Sequence, residues 1–99
     1  MIEDIILYKQ YCDGKGYRLV KRKHENGEVE NYYIEIGLII YMVYDVENNN
    51  LYCNDDGISW KPDFMTLYFH LVKKGIPESI IEMFIKLINE NREKNANRL

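Results

Sequence analysis

YRLVKRKHENGEVENYYIEI, residues 17–36, decides the fold. Two strand-like runs, Tyr17–Lys23 and Val29–Ile36, flank Glu25-Asn26-Gly27-Glu28. Asn-Gly is the preferred centre of a two-residue hairpin turn, because both central positions take φ > 0. Such a turn sets a register in which facing residue numbers sum to 53. Lys23 then faces Glu30, Arg18 faces Glu35, Leu19 faces Ile34, Tyr17 faces Ile36 and Val20 faces Tyr33. Opposite charges meet each other and apolar residues meet apolar ones, as cross-strand energetics favours. Only Glu25 opposite Glu28 runs against the pattern. Turn chemistry and side-chain pairing point to the same hairpin, and that agreement between levels is the mark of a well-specified element.

Downstream, Gly37 reads as a bulge or bend. Leu38–Tyr44 (LIIYMVY) is continuously apolar, β-branched and aromatic, and reads as a strand buried on both faces. Glu47–Asn50 is a turn, Leu51–Cys53 a short return strand and Asn54–Gly57 another turn. Upstream, residues 2–12 fit two templates. Ile2, Ile5, Ile6 and Lys9 share a helical face, while Ile5, Leu7 and Tyr11 alternate like a strand. Glu3 and Asp4 at the front favour a helix start, so a helix is expected, with a fifth strand as the alternative. Asp13–Gly16 is a loop.

After Pro62 the period becomes helical. Phe64, Leu67, Tyr68, Leu71 and Val72 form one apolar stripe, closed by Lys73, Lys74 and Gly75. Pro77 and Glu78 open a second helix with Ile80, Ile81, Phe84, Leu87 and Ile88 as its stripe. Phe69, Ile76, Met83 and Ile85 lie off these stripes, which points to a second contact surface and to self-association. Residues 91–99 are polar and are expected to fray. The expected fold is α+β: one domain over residues 1–99, an antiparallel meander of about four strands with two C-terminal amphipathic helices on one face.

Composition narrows the class. The 99 residues include nine Tyr, and 46% are apolar, ordinary usage for a folded domain rather than a disordered chain. The two cysteines, Cys12 and Cys53, have no metal-ligand spacing and read as reduced, packed thiols. Glu3 and Asp4 stand where a signal peptide carries bases, and the longest apolar run is too short for a bilayer. A soluble, cytoplasmic protein without membrane contact is expected.

The net charge of −3 conceals a sharp partition. Residues 14–24 hold five bases and no acid, whereas residues 25–57 hold eight acids and no Lys or Arg. Such an acidic run projects a negative field that steers encounter with a basic partner.

Motif chemistry is sparse. Cys12, Cys53, His24 and His70 could supply a Cys/His pair, but nothing in the sequence brings any two together. Asn54-Asp55-Asp56-Gly57 with Asp63 resembles part of a calcium loop and fails it: with Gly57 in the sixth position, Tyr52 occupies the first and Asp63, not Glu, the twelfth. Phosphate-binding glycine motifs are absent. The turn 74–79 has the look of a helix-turn-helix, yet the second helix is too acidic to read DNA. No metal, cofactor or catalytic constellation is expected.

The expectation is a non-enzymatic binding module that presents acids to a basic surface on a protein partner. Size and charge, not a motif, put it alongside small acidic inhibitors, immunity proteins and anti-defence proteins. Its expected contact residues are Glu25, Glu28, Glu47, Asp55 and Asp56, with Tyr52 and Trp60 as apolar anchors. The less favoured alternative is a nucleic-acid module using Lys15, Tyr17, Arg18, Lys21, Arg22 and Lys23. Those bases also protect an edge strand and pair with neighbouring acids, which is the better account of them.

Overall fold

A computed structural model describes residues 1–96. Six strands form one antiparallel sheet in sequential order: β1 (Ile2–Cys12), β2 (Lys15–His24), β3 (Val29–Ile36), β4 (Ile39–Asp45), β5 (Asn50–Cys53) and β6 (Ser59–Trp60). Two helices follow, α1 (Phe64–Lys74) and α2 (Glu78–Ala96). The α+β meander with two C-terminal helices is as expected, and two strands more than the expected four complete it.

The first additional strand is β1, where a helix was expected. Glu3 and Asp4 do not serve a helix dipole; they face Lys23 and Arg22 of β2. The register shifts between Ile6 and Tyr8, so Leu7 and Tyr8 both pack on the core. A bulge of this kind breaks the period of two and hides a strand from pattern reading. The second is the two-residue β6, which pairs Trp60 with Leu51.

The β2–β3 hairpin keeps the expected register from Tyr17↔Ile36 to Arg22↔Asn31. Its turn differs. The Gly27 N–H donates to the His24 carbonyl (2.9 Å) and the His24 N–H to the Glu28 carbonyl (2.8 Å). The loop therefore has three residues, and of Asn26 and Gly27 only Gly27 takes a positive φ, +89°. Lys23 consequently faces Val29 rather than Glu30. One extra residue, Glu30, restores the expected register beyond it, and its carboxylate lies 3.7 Å from His24 Nε2.

Gly37 is neither bulge nor bend but half of a two-residue turn, Gly37-Leu38, both with positive φ (+59° and +71°). Leu38 and Ile39 are exposed at its tip, so the apolar run is not buried on both faces. A bulge at Tyr41 turns two successive side chains, Tyr41 and Met42, into the core instead.

The core lies between one face of the sheet and the helices. Leu19, Ile34, Met42, Tyr44 and Leu51 meet Leu67, Leu71, Ile80, Phe84 and Ile88, all fully buried. Each such side chain contributes roughly 1.5–3 kcal/mol on removal from water. Gly75, at φ +92°, ends α1: its N–H donates to the Val72 carbonyl and the Ile76 N–H to that of Leu71. This left-handed cap swings buried Ile76 back onto the core. α1 buries a narrower stripe than expected, for Tyr68 and Val72 remain exposed with Met65 and Phe69.

α2 continues beyond Glu90 to Ala96. The Asn91 amide donates to the Tyr44 hydroxyl (2.9 Å) and the Val46 carbonyl (3.3 Å), which ties this part of the helix to the sheet. The rest of the expected tail, residues 97–99, lies outside the described residues. No helix among the described residues is long and apolar enough to cross a membrane.

Candidate functional site

A meander puts alternate turns at opposite ends of its sheet. The β2–β3 hairpin and the β4–β5 turn share one end; the β3–β4 and β5–β6 turns share the other. The expected contact acids are divided accordingly. Glu25, Glu28 and Glu47 lie at the first end, where Glu30, Asp45 and, from α2, Glu90 join them. Five of these carboxylates, those of Glu28, Glu30, Asp45, Glu47 and Glu90, line a groove of about 750 Å³, against one Lys, Lys94, among its described residues. Asp55 and Asp56 lie at the opposite end, and Asp55 is held by Lys74.

A second groove, about 440 Å³, continues from Glu30, Asp45 and Glu47 onto the outer face of the sheet and reaches Tyr52. Tyr52 is 42% exposed and stands beside the acids as an apolar contact. Trp60 does not: it is half-buried and packs on the core and the His70 ring. One end of the sheet thus presents a continuous acidic surface with an exposed phenol at its border.

Both arginines and the tyrosine of the basic strand are committed to the fold. Tyr17 is in the core, closed to base stacking. Arg18 grips Glu35 through Nε (3.1 Å) and Nη2 (3.0 Å to Oε2). Arg22 grips Asp4 with Nε (2.8 Å) and Nη2 (3.1 Å), and this pairing holds the Asp4 carboxyl below its ordinary value. The Arg22 guanidinium also lies over the Tyr33 ring at 5.6 Å. Beneath these pairs Val20 and Tyr33 are buried on the outer face. The arginine stems and charged heads seal that apolar strip from water. Lys21 falls on the same face as Tyr17 and Leu19, so the five bases do not form one surface.

A cluster that the sequence concealed lies at the other end. Cys53 ends β5, Asp56 sits in the β5–β6 turn and His70 projects from α1. Their donor atoms all lie within 4.8 Å of one another. Cys53 Sγ and His70 Nε2 are 3.5 Å apart. The His70 ring stacks on Tyr41 (6.0 Å between centroids, 21°) and tilts against Trp60 (5.5 Å, 53°). The Asp56 Oδ1 accepts from the Ile58 N–H (2.9 Å), which orients the carboxylate. Burial first, then the adjacent Cys53 thiol, push the Tyr41 phenol far above its ordinary value. Cys12 takes no part, and both cysteines are free thiols. The visible signal was the two-residue gap between Cys53 and Asp56 across a turn; the His70 contribution required the tertiary packing of α1.

No protein-family model, curated protein or solved structure matches this chain.

Proposed function

We propose that this domain is a non-enzymatic protein-binding module, of the inhibitor or immunity type, whose acidic sheet end engages a basic surface on a protein partner. The observation that carries the reading is the groove of five carboxylates answered by one lysine among its described residues. Ordinary surfaces intersperse the two signs, and a single-sign field is the arrangement that steers a partner. Grouped charges within about 10 Å, the screening length at 0.1 M salt, act on a partner together. Tyr52 supplies rigid amphipathic area at the border, the kind of side chain enriched at interfaces. The anionic alternative of nucleic-acid binding gains nothing from a buried Tyr17 and two arginines already committed to carboxylates.

The test is charge reversal at one end against the other. Glu28→Lys with Glu47→Lys abolishes partner binding, while Asp55→Lys, at the far end, leaves it intact. Retained binding in the first variant removes the proposal.

A second reading rests on α1, where Met65 and Phe69 are 69% and 62% exposed beside Tyr68 and Val72. An apolar strip of this kind fits a second copy of the chain. Light scattering over a concentration series reports it, and a monomer at every concentration removes it.

A further inference from the structure

We infer that Cys53, Asp56 and His70 form a binding site for a divalent cation of the zinc class. The site lies where the β5–β6 turn meets α1, at the end of the sheet away from the acidic groove, and it does not depend on the function proposed above.

Donor chemistry selects the ion. One thiolate, one imidazole and one carboxylate form the mixed sulfur–nitrogen–oxygen set that suits zinc; calcium and magnesium take oxygen alone. Thiolate and carboxylate together neutralise a dication, so the loaded site places no net charge beside the buried Cys53. Cys53 binds as thiolate, its proton passing to solvent.

Geometry agrees. With Zn–S near 2.3 Å and Zn–N near 2.0 Å, tetrahedral angles place sulfur and nitrogen about 3.5 Å apart. Cys53 Sγ and His70 Nε2 are 3.5 Å apart. That separation also serves a thiol–imidazole hydrogen bond; the third donor is what distinguishes a site from a pair. Cys53 and Asp56 are separated by two residues across a turn closed by the Gly57 N–H to the Cys53 carbonyl (2.9 Å). Zinc knuckles use the same spacing, because a tight turn lets two side chains converge on one side of the chain. Asp56 is the exposed member, and its carboxylate lies within 4.8 Å of both other donor atoms.

The surroundings support the ligands. Tyr41, stacked on the His70 ring, and Trp60, tilted against it, restrict the ring's orientation. One opposing charge is close: Lys74 lies 5.0 Å over the Tyr41 ring, but it is paired with Asp55. Three protein donors leave a fourth position, on the exposed Asp56 side, for water or a partner's side chain.

Titration of the full chain with Co²⁺, then Zn²⁺, tests the site. The expected result is one equivalent of Co²⁺ giving thiolate charge-transfer absorption and four-coordinate ligand-field bands, displaced by Zn²⁺. Asp56→Asn and His70→Gln are each expected to weaken Co²⁺ binding by more than the roughly tenfold that loss of an outer partner costs. Cys12→Ser is expected to leave it unchanged. Zn²⁺ should also raise the urea midpoint of the wild-type protein, a readout independent of any variant's folding. Octahedral Co²⁺ spectra without the thiolate band, wild-type affinity in both Asp56→Asn and His70→Gln, or loss of the site in Cys12→Ser would overturn the inference.

Discussion

Removing the Arg18 guanidinium while keeping its stem, Arg18→Met, tests whether the basic strand is structural. Glu35 lies opposite, its side chain 7% exposed, while that of Arg18 is 32% exposed. An exposed ion pair contributes at most about 1 kcal/mol. Breaking a fully buried pair costs about 3–5 kcal/mol, because the remaining charge is stranded. This pair stands between those limits but nearer the buried one, since the partner left behind is the buried carboxylate. Arg18→Met is therefore expected to cost about 2–4 kcal/mol. Replacing both partners, Arg18→Met with Glu35→Leu, covers Val20 and Tyr33 with apolar side chains and strands no charge. That double variant is expected within about 1 kcal/mol of wild type. Urea unfolding of the four-member cycle at pH 7 provides the values. A single variant within about 0.5 kcal/mol of wild type, or a double variant less stable than the single, would refute the reasoning.

Burial pushes the phenols of Tyr32, Tyr33 and Tyr44 above their ordinary value of 10.0. A raised value means that the folded state keeps protons the unfolded state has released. Their stabilisation is thus complete below about pH 10 and is lost as pH rises through the folded values. The urea midpoint should fall above about pH 10, less steeply in Tyr33→Phe and Tyr44→Phe; equal slopes in all three proteins would count against this account. At the β3–β4 tip, Leu38 holds φ +71°, a conformation that costs Leu more than it costs Asn. Leu38→Asn should stabilise the protein by about 0.5–1 kcal/mol, and a destabilised variant would show that the tip contributes packing instead.

The β2–β3 hairpin was legible because its turn chemistry and its cross-strand pairs carried one message. Even there, two departures cancelled: a three-residue loop moved the register by one and the bulge at Glu30 moved it back. β1 was illegible for the same physical reason, since its bulge at Leu7 destroyed the alternation. Its leading acids also had two uses, and a linear reading cannot see that Arg22 is the partner of Asp4. The partners of Asn91, Tyr44 and Val46, lie more than forty residues earlier, beyond the reach of a local pattern. The acidic site was half legible. The parity of a meander assigns Glu28 and Glu47 to one end and Asp55 and Asp56 to the other, and that follows from strand order alone. Glu90 could be added only by the docking of α2. The Cys53–His70 contact was similarly out of reach, because it depends on which flank of α1 meets the end of β5.

The central claim is that the acidic sheet end steers a basic partner, and the association rate against salt tests it most directly. For the wild-type protein the account predicts a rate that falls steeply from low to physiological ionic strength. In Glu28→Gln/Glu47→Gln/Glu90→Gln it predicts a slower rate with a shallower salt dependence, and in Asp55→Asn the wild-type curve. A triple variant that follows the wild-type curve would contradict the account.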